Sequence, residues 1–320
     1  MQVFGNVIRF GIYAPPHGYT FPDYLRVWQT AEELGFDSGY LTDHLVTIGE
    51  SRTGEANSIF EAFTLLSAMA SHTQRIRCGI NVVGNTFRNP GVVAKMATTL
   101  DHVSNGRLEL GLGASHYPVE HEQYDIPFYT TGRRLRMLGE AAKMIRGLLS
   151  NEVSSFEGRY YKLDQAVARP QPIQPHLPII IGGLGEDLTL RVVAESADIW
   201  NVHLRLPHDT YQHKLDVLGR HCEEAGRNPA DIRRSMIVRA ITANTEAEAQ
   251  AKAAARSSMG DPLVGVPEQI AEELLSYVRL GISDFLFSQG TPVDYESLEL
   301  IATRIAPIVR SEGVGILSGT

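Results

Sequence analysis

Four of the eleven histidines in this 320-residue chain stand just past apolar, strand-like runs. They are His17 in Pro15-Pro16-His17, His44 in Thr42-Asp43-His44, His116 in Ser115-His116-Tyr117, and His203, two residues beyond Asn201. Imidazole is the side chain suited to gaining and losing a proton near neutral pH. One such histidine is ordinarily structural. Four at equivalent places in a repeating pattern read as a proton-transfer group. No catalytic metal is expected, because neither HxH nor HExxH occurs. Glu120-His121 followed by Glu122 has helical spacing but is read as lying beyond the strand ends.

Two small-residue stretches complete the polar set. Gly111-Leu112-Gly113-Ala114-Ser115 ends an apolar run with residues that let a flat group approach the backbone. Gly182-Gly183-Leu184-Gly185-Glu186 joins an apolar run to a helical pattern. Free N–H groups at a helix start suit a phosphate, and the same residues also suit a tight turn. Asp43 reads either as a site residue or as a cap for the following backbone. Trp200 is expected in the core. The polar loop Gly84–Asn89 follows another apolar run. The loop Val46–Asn57 is expected to help shape a pocket, with Arg52 a solvated charge rather than a contact for an acidic substrate. Arg133-Arg134-Leu135-Arg136 reads as a solvated helix face.

The elements that must position these residues alternate from end to end. Strand-like runs fall at Ile8–Tyr13, Ser38–Leu41, Ile76–Val83, Leu108–Leu112, Pro178–Ile181, Asp198–Val202, Ser235–Ile241 and Asp284–Phe287. The early ones are almost wholly apolar, as in a parallel sheet covered on both faces. Helical patterns fall between them at Pro22–Leu34, Ile59–Ala70, Pro90–His102, Thr131–Leu149, Glu186–Ser196, Asp209–Ala225 and Pro267–Leu280, and a last one at Tyr295–Val309. Asn89-Pro90 reads as a helix start, Ser104-Asn105-Gly106 as a stop, and Asp209 as an N-cap. Eight alternations predict an α/β protein, a (β/α)8 TIM barrel over residues 1–320 as one domain. An open doubly wound sheet fits less well, since no GxGxxG follows the first strand. Glu152–Gln165 reads as a short hairpin inserted after the fourth helix. Ala247–Arg256 reads as an added Ala-rich helix.

Composition bounds the partners. The chain is 43% hydrophobic and carries a net charge of −8, with no basic stripe to suit a nucleic acid. Its two cysteines, Cys78 and Cys222, read as buried free thiols, which suits a reducing compartment. No signal-peptide pattern opens the sequence and no apolar run is long enough for a membrane span. A cytoplasmic enzyme acting on a small molecule is the expectation.

Longer stretches point the same way. They include Ala31-Glu32-Glu33-Leu34-Gly35-Phe36-Asp37-Ser38 leading into Thr42-Asp43-His44, then Thr86-Phe87-Arg88-Asn89-Pro90 and Ser104-Asn105-Gly106-Arg107. Further on come Glu120-His121, Tyr124, Ile126-Pro127-Phe128, Phe156-Glu157-Gly158, Pro170-Gln171-Pro172, Ile181-Gly182-Gly183, Ala197-Asp198 and Trp200-Asn201. Together, over nearly the whole chain, these resemble the luciferase-like flavin and deazaflavin oxidoreductases, in particular the branch that uses coenzyme F420. The resemblance implies a (β/α)8 barrel with the ring lying across the strand ends. It implies a non-proline cis peptide in the third strand, at Asn81-Val82, bulging against that ring. Asp43 and the Ala114-Ser115 backbone would contact the ring's polar edge, and Gly182, Gly183, Leu184 and Gly185 would hold the phosphate. His44 matches the family's base-like histidine. His116 stands where relatives often carry Glu or Trp, and His17 where some carry an acidic residue. The implied reaction is hydride transfer between a substrate carbon and C5 of the deazaflavin, with His44 and His116 as proton donor and acceptor or as orienting groups. An FMN-dependent monooxygenase and a non-enzymatic cofactor-binding protein are the alternatives. Likeness to the family also suggests a homodimer. Substrate and reaction direction are left open.

Overall fold

In the computed structural model, residues 7–49, 58–256 and 261–318 are described. The chain opens with strands β1 (Arg9–Tyr13), β2 (Ser38–Leu41), β3 (Arg77–Gly84) and β4 (Leu108–Gly113). A hairpin follows, β5 (Val153–Glu157) and β6 (Lys162–Val167). Next come β7 (Ile179–Gly182), β8 (Ile199–Val202), β9 (Arg233–Val238), β10 (Ala240–Thr242), β11 (Leu263–Gly265) and β12 (Asp284–Ser288). Eight of these close into a barrel in the order β1-β12-β9-β8-β7-β4-β3-β2. Every barrel pairing is parallel. The expected (β/α)8 barrel is therefore present. Its strands are buried on both faces; all six residues of β4, including Glu109, are buried, so the apolar-run signal was strong.

Helices α1 (Phe21–Glu33), α2 (Ala62–Ser71), α3 (Pro90–Val103), α4 (Pro118–Gln123), α5 (Thr131–Ser150), α6 (Thr189–Ser196), α7 (His208–Glu224), α8 (Glu246–Ala254), α9 (Pro267–Val278), α10 (Tyr295–Leu300) and α11 (Ala306–Ser318) fill the connections. The hairpin lies after α5 as expected, and its strands are antiparallel. The Ala-rich helix is α8, started by a capping box between Thr245 and Glu248.

Several boundaries differ from expectation. The run Ser235–Ile241 divides at Arg239, and Ala240–Thr242 leaves the barrel to pair with β11. The helix expected from Ile59 starts at Ala62, where the Glu61 carboxylate accepts from the Phe63 and Thr64 N–H groups. Asp209 is not an N-cap. The helix begins one residue earlier, behind Pro207, and Asp209 lies in its first turn, where a carboxylate favours the positive helix end. The last helix runs on to Ser318 through a π-helical turn at Ile301–Ile305.

The strand starts form the barrel floor, which is closed by charge rather than by apolar packing alone. Arg9 and Arg77 both donate to Glu109, at 2.7 and 2.6 Å. Arg9 also pairs with Asp284, which Arg233 reaches at 2.7 Å. Tyr40 donates to the other Glu109 oxygen. Burial alone would raise the Glu109 carboxyl, but Arg9 and Arg77 outweigh it and hold the group below the ordinary carboxylate range. Cys78 and Cys222 are both buried and free. No described helix is long and apolar enough to cross a membrane.

Candidate active site

At the other end of the barrel, the strand ends carry the polar set. The Asn81-Val82 peptide in β3 is cis, as the resemblance implied. The β3–β4 register shifts there, between Ile80 and Val83. Gly113 makes the bulge sterically possible, since a Cβ on it would land inside the Val82 side chain. The buried Asn81 amide has no hydrogen-bond partner at either its oxygen or its nitrogen among the described residues. An orphaned buried amide of this kind is rare and marks a place where a ligand or water is wanted.

Asp43 sits beside this bulge and is fully engaged. Its oxygens accept from Arg88 at 2.6 and 3.0 Å and from the Gly84 N–H at 3.0 Å. Arg88 also pairs with Glu61 at 2.6 Å. Asp43 therefore does not cap the backbone that follows it; its one backbone partner is Gly84, 41 residues on, and this ties the end of β2 to the end of β3.

The four histidines converge. The His44 and His116 rings meet edge to face with centroids 5.6 Å apart. His17 is near enough to His44, and His203 to His116, to feel its charge: burial lowers the pKa of both, with a smaller push from those neighbours. Burial also lowers His116, and His44 and Arg134 add to the effect while Glu120 opposes it. His17, His116 and His203 nonetheless expose ring surface to solvent, so they are crowded but reachable.

Glu120 overturns the reading that placed it beyond the strand ends. It is fully buried on α4, and its carboxylate lies 3.1 and 3.2 Å from His44 Nδ1. The Leu45 N–H donates to the same carboxylate at 3.0 Å. A carboxylate only accepts, so Nδ1 carries a proton, and in the neutral ring Nε2 presents its lone pair. Neighbouring His121, also fully buried, bonds Thr86 Oγ1 through Nε2 at 2.7 Å and the Tyr117 carbonyl through Nδ1 at 2.8 Å. Thr86 in turn donates to Ser115 Oγ at 2.8 Å. The six residues of α4 therefore tie together the ends of β2, β3 and β4. Two signals were available in the sequence: Pro118 as a helix start, and an acid four residues after His116.

The basic cluster is corrected at one position. Arg133 and Arg136 are exposed as expected, Arg133 over the Tyr129 ring at 3.7 Å, but Arg134 is buried beneath the end of β4. Asn85 belongs to the expected polar loop Gly84–Asn89. It is buried and donates to the Tyr161 hydroxyl of the hairpin at 3.2 Å. Arg52 lies outside the described residues.

The glycine turn after β7 departs from the expected helix start, since α6 begins at Thr189 rather than Glu186. Gly183 takes a φ of 130°, open to glycine and rarely to other residues. Its carbonyl accepts from Trp200 Nε1 at 2.8 Å. Trp200 is fully buried and stacked on Tyr211 at 5.6 Å, so the core tryptophan also shapes the turn. Glu186 is held by Lys214 at 2.5 Å and His213 at 3.2 Å. Neither the Leu184 nor the Gly185 N–H meets an acceptor among the described residues. No group of side chains there could hold a metal ion, again among the described residues.

Comparison with known proteins follows the same lines. The family model for luciferase-like monooxygenases matches residues 4–262. An uncharacterized protein of Mycobacterium tuberculosis is 30% identical over 182 residues, which cover 53% of this chain and 64% of that protein. The chain thus spans less than two thirds of the first curated relatives it matches. The F420-dependent glucose-6-phosphate dehydrogenase of Microbacterium testaceum is 30% identical over 227 residues, covering 70% of this chain and 66% of that one. Among solved structures, an F420-dependent secondary alcohol dehydrogenase in complex with an F420-acetone adduct superposes with a TM-score of 0.79 at 20% identity. That match covers 95% of this chain and 99% of the other. With its matched residues taking in the barrel from β1 to β9, the chain belongs to the luciferase-like monooxygenase family.

Proposed function

We propose that the chain is a coenzyme F420-dependent oxidoreductase acting on a small organic molecule, with His44 as the proton-transfer residue. The observation that carries this reading is the His44–Glu120 pair within edge contact of His116. Glu120 fixes the His44 tautomer, so Nε2 can take a proton from a substrate hydroxyl or return one to a carbonyl oxygen. His116, whose pKa burial lowers, can in its neutral form donate from a ring N–H or accept at the other nitrogen. His17 and His203, near enough to His44 and His116 to feel their charge, offer a path for the proton to leave.

The residues present fit a deazaflavin. In this reading the Val82 bulge, the Asn81 amide, unpartnered among the described residues, and the Ala114-Ser115 backbone would meet the ring's polar edge. The free N–H groups of Leu184 and Gly185, beside Gly182 and Gly183, offer donors for a phosphate. When bound, F420 would supply a carbon centre that exchanges hydride, which commits the site to two-electron chemistry. Asp43 serves here by holding the β2 and β3 ends together through Arg88. The named activities of the Microbacterium and alcohol dehydrogenase relatives support F420 and a carbinol or carbonyl substrate. We also propose a homodimer and a cytoplasmic location, on family likeness alone.

Titration of the ligand-free protein with F420 and with FMN, followed by cofactor fluorescence, tests the reading. Binding of F420 with no response to FMN is expected. Tight FMN binding with none to F420 would refute it in favour of the monooxygenase alternative. His44→Ala and His116→Ala should bind F420 nearly normally and lose turnover; full turnover in both would remove their proton-transfer role.

A further inference from the structure

Arg134 is a buried cation with no carboxylate within ion-pair distance among the described residues. Its Nε donates to the carbonyls of Ala114 at 3.2 Å and Ser115 at 3.3 Å. Its two terminal nitrogens reach the Tyr129 carbonyl and, at 3.4 Å, Thr131 Oγ1. The guanidinium lies over the Phe128 ring at 4.0 Å. Burial lowers its pKa, and nothing acidic restores it. An unpaired buried charge is costly, and an apolar side chain would fill this position on α5 without that cost. A charged fork at this place calls for a reason beyond packing.

The two carbonyls supply it. In a trans peptide the C=O and the following N–H point in opposite directions. The Ala114 carbonyl shares its peptide with the Ser115 N–H, and the Ser115 carbonyl shares its peptide with the His116 N–H. Both carbonyls turn outward to Arg134, so both N–H groups turn inward, toward the mouth where His44 and His116 meet. Ser115 has a φ of 60°, the left-handed conformation in which successive N–H groups converge into an anion-binding concavity. Neither N–H has a protein acceptor among the described residues. The Ser115 hydroxyl is drawn aside by Thr86, which leaves the two donors clear.

We propose that Arg134 is a positioning residue: by holding the Ala114 and Ser115 carbonyls, it presents the Ser115 and His116 N–H groups as a paired donor for an anionic or carbonyl oxygen of the bound ligand. This rests on the mouth being the ligand site, but not on which ring fills it. The same cation also bears on His116, which is faced by His44 and Glu120 as well and lies near His203.

Two variants test it in isotope-labelled full-length protein. Arg134→Met removes charge and fork; Arg134→Lys keeps the charge but not the fork. Thermal melting checks that each is folded, with Arg134→Gln as a replacement for one that is not. In the ligand-free state, Arg134→Met should move the Ser115 and His116 amide signals and shift the His116 ring titration to higher pH. Arg134→Lys should restore the titration but not the amide positions. F420 or FMN, whichever the wild type takes up, should bind both variants roughly 10–100-fold more weakly, as expected for one or two lost hydrogen bonds. Wild-type affinity in folded Arg134→Met would overturn the proposal, and so would unmoved Ser115 and His116 amides. If neither ring binds the wild type, the cofactor reading fails separately, and the ligand-free amide signals alone decide the role of Arg134.

Discussion

The substitution Glu120→Gln turns on a single proton. In the wild type the carboxylate accepts from two sides, from His44 Nδ1 at 3.1 and 3.2 Å and from the Leu45 N–H at 3.0 Å. A glutamine in the same place has one oxygen and one NH2. The Leu45 N–H can only donate, so it takes the amide oxygen. The NH2 then faces His44 Nδ1, which must become an acceptor, and the ring proton moves to Nε2. The side chain keeps its volume and both contacts, so the fold should persist. What changes is that Nε2 now carries a proton where it had offered a lone pair. A positioned base of this kind is worth about 10²–10⁴-fold, and a misoriented tautomer costs toward the upper end. Nitrogen-15 spectra of the His44 ring, recorded without any ligand, report which nitrogen is protonated. The expected result is a protonated Nδ1 in the wild type and a protonated Nε2 in Glu120→Gln. Turnover of whatever substrate the wild type converts should fall by at least about 10². An unchanged tautomer with turnover within about threefold would refute the reasoning, since threefold is below the smallest effect a general base contributes.

Other consequences can be checked in the same way. Glu109→Gln leaves Arg77 without its buried anion and Arg9 with Asp284 alone, and should cost about 3–5 kcal/mol, lowering the melting temperature by about 4–8 °C while ligand affinity holds. Because Glu109 is held below its ordinary value in the folded chain, its contribution should be present at neutral pH. It should fade only as pH falls through and below the carboxylate range, and Glu109→Gln should flatten that part of the stability profile. Gly113→Ala drives a methyl group into Val82 and should cost about 1–3 kcal/mol. It should also weaken cofactor binding, whereas wild-type affinity would show that the bulge does not bear on the ligand. His17, His116 and His203 should titrate below the ordinary histidine value in proton spectra. Their unfolded forms bind protons first on acidification, so their effect is a loss of stability as pH falls below about 6.5.

The barrel was legible because burial on both faces writes an unambiguous pattern. β2 and β4 are apolar or small at nearly every position, and the helices between the barrel strands announce themselves with Pro90, Pro267 and Gly281. Where the pattern misled, a local break was the cause, as at Arg239, which sends the chain out of the barrel after an apolar run that looked continuous. The site was legible only in part. Histidines at strand ends show themselves by position, and the glycines beside Val82 by their size. The partners that give those residues their properties do not. Glu120 lies 76 residues from His44, and its meaning depends on a six-residue helix folding back across three strand ends. Arg134 has the neighbours of a solvated helix face, and only the placement of α5 over the end of β4 turns it inward.

The two ends of the barrel differ in how their charged groups are arranged, although Ser38 Oγ and Arg234 Nε at the strand starts are also unpartnered among the described residues. At the floor, Arg9, Arg77, Arg233, Glu109 and Asp284 answer one another, so the charge there needs nothing from outside the chain. At the mouth, polar atoms are held firmly from behind yet left unmet in front. Asn81 has no partner for its amide among the described residues. Ser115 and His116 turn two N–H groups away from Arg134, and Leu184 and Gly185 turn two more away from a core that Trp200 has fixed. Leaving a buried amide such as that of Asn81 unpaired costs about 1–3 kcal/mol, and the backbone N–H groups beside it are unmet donors on half-buried or exposed residues. A mouth that gathers several of them around an oriented histidine is organised for a ligand that meets them together. Binding should therefore stabilise the fold, and a rise in melting temperature with F420 that is smaller in Arg134→Met would tie those unmet donors to that ligand.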